Sequence, residues 1–174
     1  RITSPKKLPL RTTTDMSKEA LFNILNKHYY FSELRVLDLF SGTGNISYEL
    51  ASRGCTDITA VDNHLGCVRF INKTTALMQY QIKVIKSDVF KFLDKGTGLP
   101  YDVIFADPPY DFSIEQFSNI VAAVFSNKML SPEGTLIIEH SKHTDLSEHP
   151  NLIEQRKYSG NTFSFFAYNE SESE

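Results

Sequence analysis

Residues 107 to 110 read Asp-Pro-Pro-Tyr directly after an apolar run, Tyr101-Asp-Val-Ile-Phe-Ala106. A carboxylate, a proline-flanked carbonyl and an aromatic ring therefore meet at the tip of an expected β-strand. Proline fixes φ and has no N–H, so the corner is expected to be stiff, with carbonyls open to accept hydrogen bonds. Such a group can hold a planar base that carries an exocyclic amine. Asp107 and the Pro108 carbonyl would accept its two N–H bonds, Pro109 would stiffen the bend and Tyr110 would stack on the ring. Ordinary turns use the same residue types, so the tetrapeptide gains weight only from a second feature.

That feature is Val36-Leu-Asp-Leu-Phe-Ser-Gly-Thr-Gly44, an apolar strand running into a Gly-x-Gly turn. A helix-compatible segment follows over 46–53, with Gly54 as its expected C-cap. The next strand, Asp57-Ile-Thr-Ala-Val-Asp62, ends in an acid able to accept both hydroxyls of a ribose. A pyrophosphate binder usually shows a third glycine, and here that position is Ser47. Asp38 at the strand tip would also repel a diphosphate. An acid there suits a cation, which favours S-adenosylmethionine, with its sulfonium and α-ammonium, over a nicotinamide cofactor.

These two groups need a scaffold. A helix is expected over 16–28, capped by Thr14 or Asp15, with Ala20, Leu21, Ile24 and Leu25 on one face. Strands are then expected over 35–40, 57–62, 82–86, 101–106 and 135–140. Helices over 46–53, 65–78, 89–93 and 113–126 alternate with them. That alternation implies an α/β fold with a parallel sheet and right-handed crossovers. Runs at 152–158 and 162–168 flank Ser159-Gly160-Asn161 and read as a hairpin, with positive φ expected at Gly160 and Asn161. The expectation is thus a mostly parallel seven-stranded sheet, helices on both faces, and an antiparallel C-terminal hairpin. A single domain spans 1–168, beginning with a basic arm at 1–14, and an acidic disordered tail follows at 169–174.

The chain has 174 residues, is 41% hydrophobic and holds 13 Phe and 8 Tyr, enough for one real core. Cys55 and Cys67 have no metal or redox spacing and are read as packing residues. The His residues 28, 64, 140, 143 and 149 share no spacing, so no metal is expected and they are read as surface or core-edge groups. No apolar run reaches transmembrane length and no signal peptide is visible, so a reducing cytoplasm and no membrane association are expected. The chain opens on Arg1, not Met. The net charge of −3 argues weakly for a shaped ribonucleoprotein over free RNA, since non-specific binding needs many phosphate contacts. Arg1, Lys6, Lys7 and Arg11 precede the first acid, Asp15, and could form a phosphate-contacting arm. No exposed apolar repeat is visible, and a monomer is expected.

In these residues the chain resembles the class I S-adenosylmethionine-dependent methyltransferases, and more narrowly the RsmD-type 16S rRNA guanine-N2 methyltransferases. The resemblance rests on Arg11-Thr-Thr-Thr-Asp-Met-Ser-Lys-Glu-Ala-Leu-Phe-Asn23, Leu37-Asp-Leu-Phe-Ser-Gly-Thr-Gly44, Tyr48-Glu-Leu-Ala-Ser-Arg-Gly54 and Asp107-Pro-Pro-Tyr110. It covers nearly the whole chain. Departures are Thr12-Thr13 where the family usually has Pro-Thr, Asn45 and Ile46 where it has small residues, and the absence of a usual strand ahead of residue 1. The resemblance implies a Rossmann-like fold and transfer of a methyl group to a guanine N2 amine in 16S rRNA or the small ribosomal subunit. It implies that Asp38, Ser41, Gly42 and Gly44 surround the methionine part of the cofactor, with Phe40 and Asp107 in the same cofactor-binding set. It assigns the ribose to Asp62 and the adenine edge to Asp88 and the Val89 backbone. Asp107 to Tyr110 would hold the target base. Other roles stay open: Asp62 as a turn residue, Asp88 as a helix cap, and Asn63 as either a cofactor contact or a helix start.

Four rival functions fit less well, among them protein glutamine methylation, whose family generally has Asn where this chain has Asp107. An adenine-N6 methyltransferase acting on DNA or RNA uses a similar corner, but the DNA enzymes normally carry a separate target-reading domain. A non-catalytic cofactor-binding module would need a broken acceptor corner. A nicotinamide dehydrogenase is disfavoured by Ser47 and Asp38.

Overall fold

The computed structural model describes residues 15–96, 98–158 and 160–169. The basic arm, with Arg1, Lys6, Lys7 and Arg11, lies outside the described residues, as do Thr14, Ser159 and positions 170–174. Helix α1 spans Asp15–His28, and strand β1 follows at Arg35–Leu39. Then come α2 (Asn45–Ser52), β2 (Asp57–Asp62), α3 (Leu65–Met78), β3 (Ile82–Lys86) and α4 (Val89–Lys95). The chain continues through β4 (Tyr101–Ala106), α5 (Ile114–Ser126), β5 (Leu130–Ser141), β6 (Leu152–Tyr158) and β7 (Asn161–Phe166).

The seven strands form one sheet in the order β3-β2-β1-β4-β5-β7-β6. The β1, β2, β3, β4 and β5 pairings are parallel, and β7 pairs antiparallel with both β5 and β6. Side chains alternate between the two faces of a strand, and the core divides accordingly. Val36, Ile58, Ala60, Val103 and Phe105 pack under α1, α2 and α3 through Leu21, Phe22, Ile46, Leu50 and Ile71. Leu37, Leu39, Val61, Ile104 and Ala106 pack under α4 and α5 through Leu93, Phe117, Ile120 and Val124. Strand β1 lies between β2 and β4, so the chain order reverses there. A crevice opens at the carboxyl ends of the strands at such a reversal, and both motifs emerge into it.

Several boundaries differ from expectation for local reasons. Strand β1 stops at Leu39, because Phe40 turns with φ of 54°. Helix α4 runs on to Lys95 and ends at Gly96, with φ of 69°. Strand β5 begins at Leu130, five residues early, and a register shift between Tyr101 and Val103 accommodates the extra length. At the hairpin Gly160 has φ of 91°, whereas Asn161 is a strand residue outside the left-handed region. Gly54 follows α2 with φ of 100°. The Cys55 amide bonds to the Leu50 carbonyl and the Gly54 amide to the Ala51 carbonyl, the two-bond closure a helix end favours. Both cysteines are buried and free. Among the described residues, no helix is long and apolar enough to cross a membrane.

Candidate active site

The glycine turn is fixed by two carboxylates from below and beside it. Asp38 ends up buried on the α2 side of β1. Helix α2 begins after Gly44, which has no side chain to cap it, and its first-turn N–H groups need acceptors. Asp38 supplies one. The Ser47 hydroxyl donates to Asp38 Oδ2 at 2.6 Å, and the Ser47 backbone adds a second bond. The residue that replaces a third glycine thus ties the helix start to β1. Burial pushes the Asp38 carboxyl up to about 7, helped by the nearby Asp62 charge and opposed by the Ser47 bonds.

Asp62 holds the other side of the turn. Its Oδ2 accepts from the Gly42 amide at 2.9 Å and its Oδ1 from the His64 amide at 2.8 Å. The Ser41 amide reaches the Val61 carbonyl and the Gly44 amide the Ser41 carbonyl. Gly44, at φ of 90°, leaves no room for a Cβ, which would sit 2.7 Å from Tyr48 Cζ. Gly42 is the opposite case: at φ of 56° it faces open space. Phe40 adopts φ of 54° beside it, a conformation rare for an aromatic residue and typical of ligand sites.

The acceptor corner leaves β4 next to this turn. Asp107 is half-buried, Pro108 buried, and Pro109 and Tyr110 exposed. The Phe112 amide donates to the Pro109 carbonyl at 3.1 Å. This corrects the expectation that both proline carbonyls stay open, since a tight turn at 109–112 uses that of Pro109. The corner ends at Ser113, which caps α5 in a reciprocal pair with Gln116, an arrangement that satisfies two backbone donors at once.

The two motifs share one cavity of about 630 Å³. It is lined by Phe40, Gly42, Asp62, Asn63, Asp88, Val89 and the whole of Asp107 to Tyr110, together with His64, Phe90 and Phe112. Asp88 serves twice: it lines the cavity, and its Oδ1 caps α4 by accepting from the Lys91 amide at 3.1 Å. Asp38, Ser41 and Gly44 support the turn without lining the cavity. Phe112 joins the walls, lying edge-on to Phe40 at 5.5 Å and stacked with Phe90 at 6.1 Å.

His64, read from the sequence as a surface or core-edge group, lines the cavity, as do Phe90 and Phe112, to which the sequence assigns no role. His64 carried a signal, because it follows an acid at a strand tip; it caps α3, its Nδ1 accepting from the Cys67 amide. The two phenylalanines carry no local signal that sets them apart from the other Phe residues. His140, expected at the surface or core edge, is buried and bridges to Ser164 Oγ at 2.6 Å.

The chemistry of the lining selects its ligand. Three carboxylates and three phenylalanine rings face the space, with neither lysine nor arginine among the described lining residues. That set repels phosphates and suits a cationic nucleoside. The buried Ser41 hydroxyl has no partner among the described residues and is available to a polar ligand. The residues therefore fit S-adenosylmethionine. Among the described residues no His, Cys, Asp and Glu cluster could hold a metal.

Comparison with known proteins gives the same direction. The family described as conserved hypothetical protein 95 matches residues 1–167. The ribosomal RNA small subunit methyltransferase D of Haemophilus influenzae is 30% identical over 141 residues, covering 79% of this chain and 71% of that protein. Its counterpart from Escherichia coli K12 is 28% identical over 144 residues, covering 81% and 69%. Among solved structures, a hypothetical protein of Thermus thermophilus superposes with a TM-score of 0.83 at 23% identity, over 97% of this chain and 93% of that one. A magnesium protoporphyrin IX methyltransferase from Synechocystis with bound S-adenosylmethionine shares the fold at a TM-score of 0.68 and 13% identity, over 88% and 79%.

Proposed function

The chain belongs to the RsmD family of S-adenosylmethionine-dependent rRNA methyltransferases, and from that premise we propose that its acceptor is the exocyclic N2 amine of a guanine in small-subunit rRNA. The observation that carries the reading is the single cavity in which the glycine turn and the Asp107–Tyr110 corner face one ligand space.

The cofactor, when bound, supplies an electrophilic methyl on a sulfonium. The remaining work belongs to the chain. An amine conjugated to a purine is a poor nucleophile, because its lone pair is delocalised into the ring. Asp107 and the Pro108 carbonyl would accept its N–H bonds, favouring a pyramidal nitrogen with more electron density. Tyr110, 81% exposed, would stack on the extruded base and hold it in line with the methyl. Catalysis is then mainly positioning, with electrostatics second. Asp62 would accept the ribose hydroxyls with the lone pairs its two amide bonds leave, and Asp88 with Val89 and Asn63 would border the adenine. The nitrogen's extra proton can leave after transfer, so no strong general base is needed. The target must leave its stack at a cost of a few kcal/mol. A substrate read by shape, such as a partly assembled small-subunit particle, suits a domain of this size.

The test is transfer of labelled methyl to small subunits from a strain lacking this gene, with naked 16S rRNA and duplex DNA as parallel substrates, followed by mapping of the modified nucleotide. Label on a guanine N2 of the rRNA supports the reading, and label on an adenine N6 replaces it. Asp107→Ala should lower turnover by about 10²-fold or more while cofactor affinity stays near wild type. Unchanged turnover would remove Asp107 from the mechanism.

A further inference from the structure

The methyl donor carries an α-carboxylate as well as its two positive groups, and the described residues of the cavity lining offer that anion no lysine or arginine. A cation stands behind the glycine turn. Lys18, on α1, reaches across to the start of α2, where its Nζ donates to Asn45 Oδ1 at 3.2 Å. The same amine lies 3.9 Å from Glu49 Oε2, and its side chain is 19% exposed. Asn45 is the first residue of α2, directly after Gly44. The amine is thus placed beside the helix end whose N–H groups carry partial positive charge, next to a turn that also holds the Ser41 hydroxyl, which has no partner among the described residues.

We infer that Lys18 binds the carboxylate of the methyl donor's amino-acid end, leaving Asn45 and Glu49 to do so. This rests on the reading that the cavity holds S-adenosylmethionine. The exchange strands no charge. Glu49 already accepts from Arg53 Nε at 3.0 Å, and its distant tie to Lys18 is a partly exposed ion pair of the kind that contributes little to stability. A lysine is suited to this shift, being a point charge on a flexible four-carbon stem. The competing role is a clasp of α1 on α2, in series with Arg53 over the Phe22 ring at 4.9 Å.

Calorimetric titration separates the two roles. The ligands are S-adenosylmethionine and decarboxylated S-adenosylmethionine, which keeps the sulfonium, the amine and the nucleoside. Lys18→Gln removes the charge but can still bond to Asn45, and so preserves the clasp; Lys18→Arg restores the charge. Lys18→Gln should weaken S-adenosylmethionine by about tenfold and leave the decarboxylated ligand unchanged, and Lys18→Arg should recover most of the loss. Equal weakening of both ligands, or of neither, overturns the assignment. A wild-type protein that binds neither ligand overturns the cofactor reading itself, and this inference with it.

Discussion

The two walls of the cavity are built in opposite ways. The glycine turn is closed on itself: Asp62 takes two backbone amides, Asp38 takes Ser47, and Gly44 is packed against the Tyr48 ring. The acceptor corner holds a turn bond from Phe112 to Pro109, and its tip is in solvent, with Tyr110 81% exposed. The first wall exists before a ligand arrives, so little ordering remains to be done on binding. The second is stiff in backbone but bare at its tip, Pro109 and Tyr110, and its stacking partner must come from the substrate. Substitutions in the first wall should therefore act on folding, and substitutions in the second on the reaction.

The sharpest test of that division is Asp38, because it stores a cost in the prebuilt wall. Its carboxyl is raised to about 7 by burial. An acid raised on folding is penalised when it ionises. Below about pH 4 both the native and the unfolded chains hold the proton and no penalty exists. Between about pH 4 and 7 the unfolded chain has lost the proton while the native chain keeps it, so stability falls as pH rises. Above 7 the penalty is constant. Asp38→Asn can still accept from Ser47 but does not ionise. Its stability relative to wild type should grow across that window by as much as about 4 kcal/mol, measured by urea unfolding at a series of pH values. A gap independent of pH would mean Asp38 is ionised throughout.

Gly44→Ala should come next. The new Cβ would meet Tyr48 Cζ at 2.7 Å and Oη at 2.8 Å, on a backbone with φ of 90°. Overpacking plus strain should destabilise the protein by about 2–4 kcal/mol, read as a lower urea midpoint. Gly42→Ala is the control within the same turn. Its φ is 56° but no described residue lies within 4 Å of the Cβ, so strain alone should cost about 1–2 kcal/mol. Equal losses at the two glycines would show that the turn is not packed as described.

The same division explains what could be read in advance. The sheet, its parallel core and the two motifs were legible because hydrophobic period, glycine position and strand-end acids are local signals. Strands β2, β3, β4 and β6 and helix α3 have their expected bounds for that reason. Three features depended on tertiary context. Asp38 looks like a ligand carboxylate in sequence, yet the missing side chain at Gly44 makes it the acceptor for α2. Phe90 and Phe112 lie on separate elements, and only the fold stacks them beside Phe40. Lys18 is 27 residues from its partner Asn45, beyond the reach of any periodicity argument. The residues missed are those whose role comes from a second element.

The smallest effect on folding is expected at the open wall, and it is the one that best sharpens the contrast. Tyr110 buries little of its ring, so Tyr110→Ala should change unfolding free energy by no more than about 0.5 kcal/mol. It should also leave cofactor affinity alone, because the aromatic faces joining the two walls belong to Phe40, Phe90 and Phe112. What it removes is the surface on which an extruded base would stack. Base–aromatic stacking contributes about 1–3 kcal/mol per base, so the loss should appear in kcat/KM for the RNA substrate, about tenfold or more. Tyr110→Phe should keep nearly full activity, since stacking needs the ring and not the hydroxyl. A Tyr110→Ala protein that is less stable but fully active would invert the comparison, making the corner a structural element and moving the base-holding role elsewhere in the cavity.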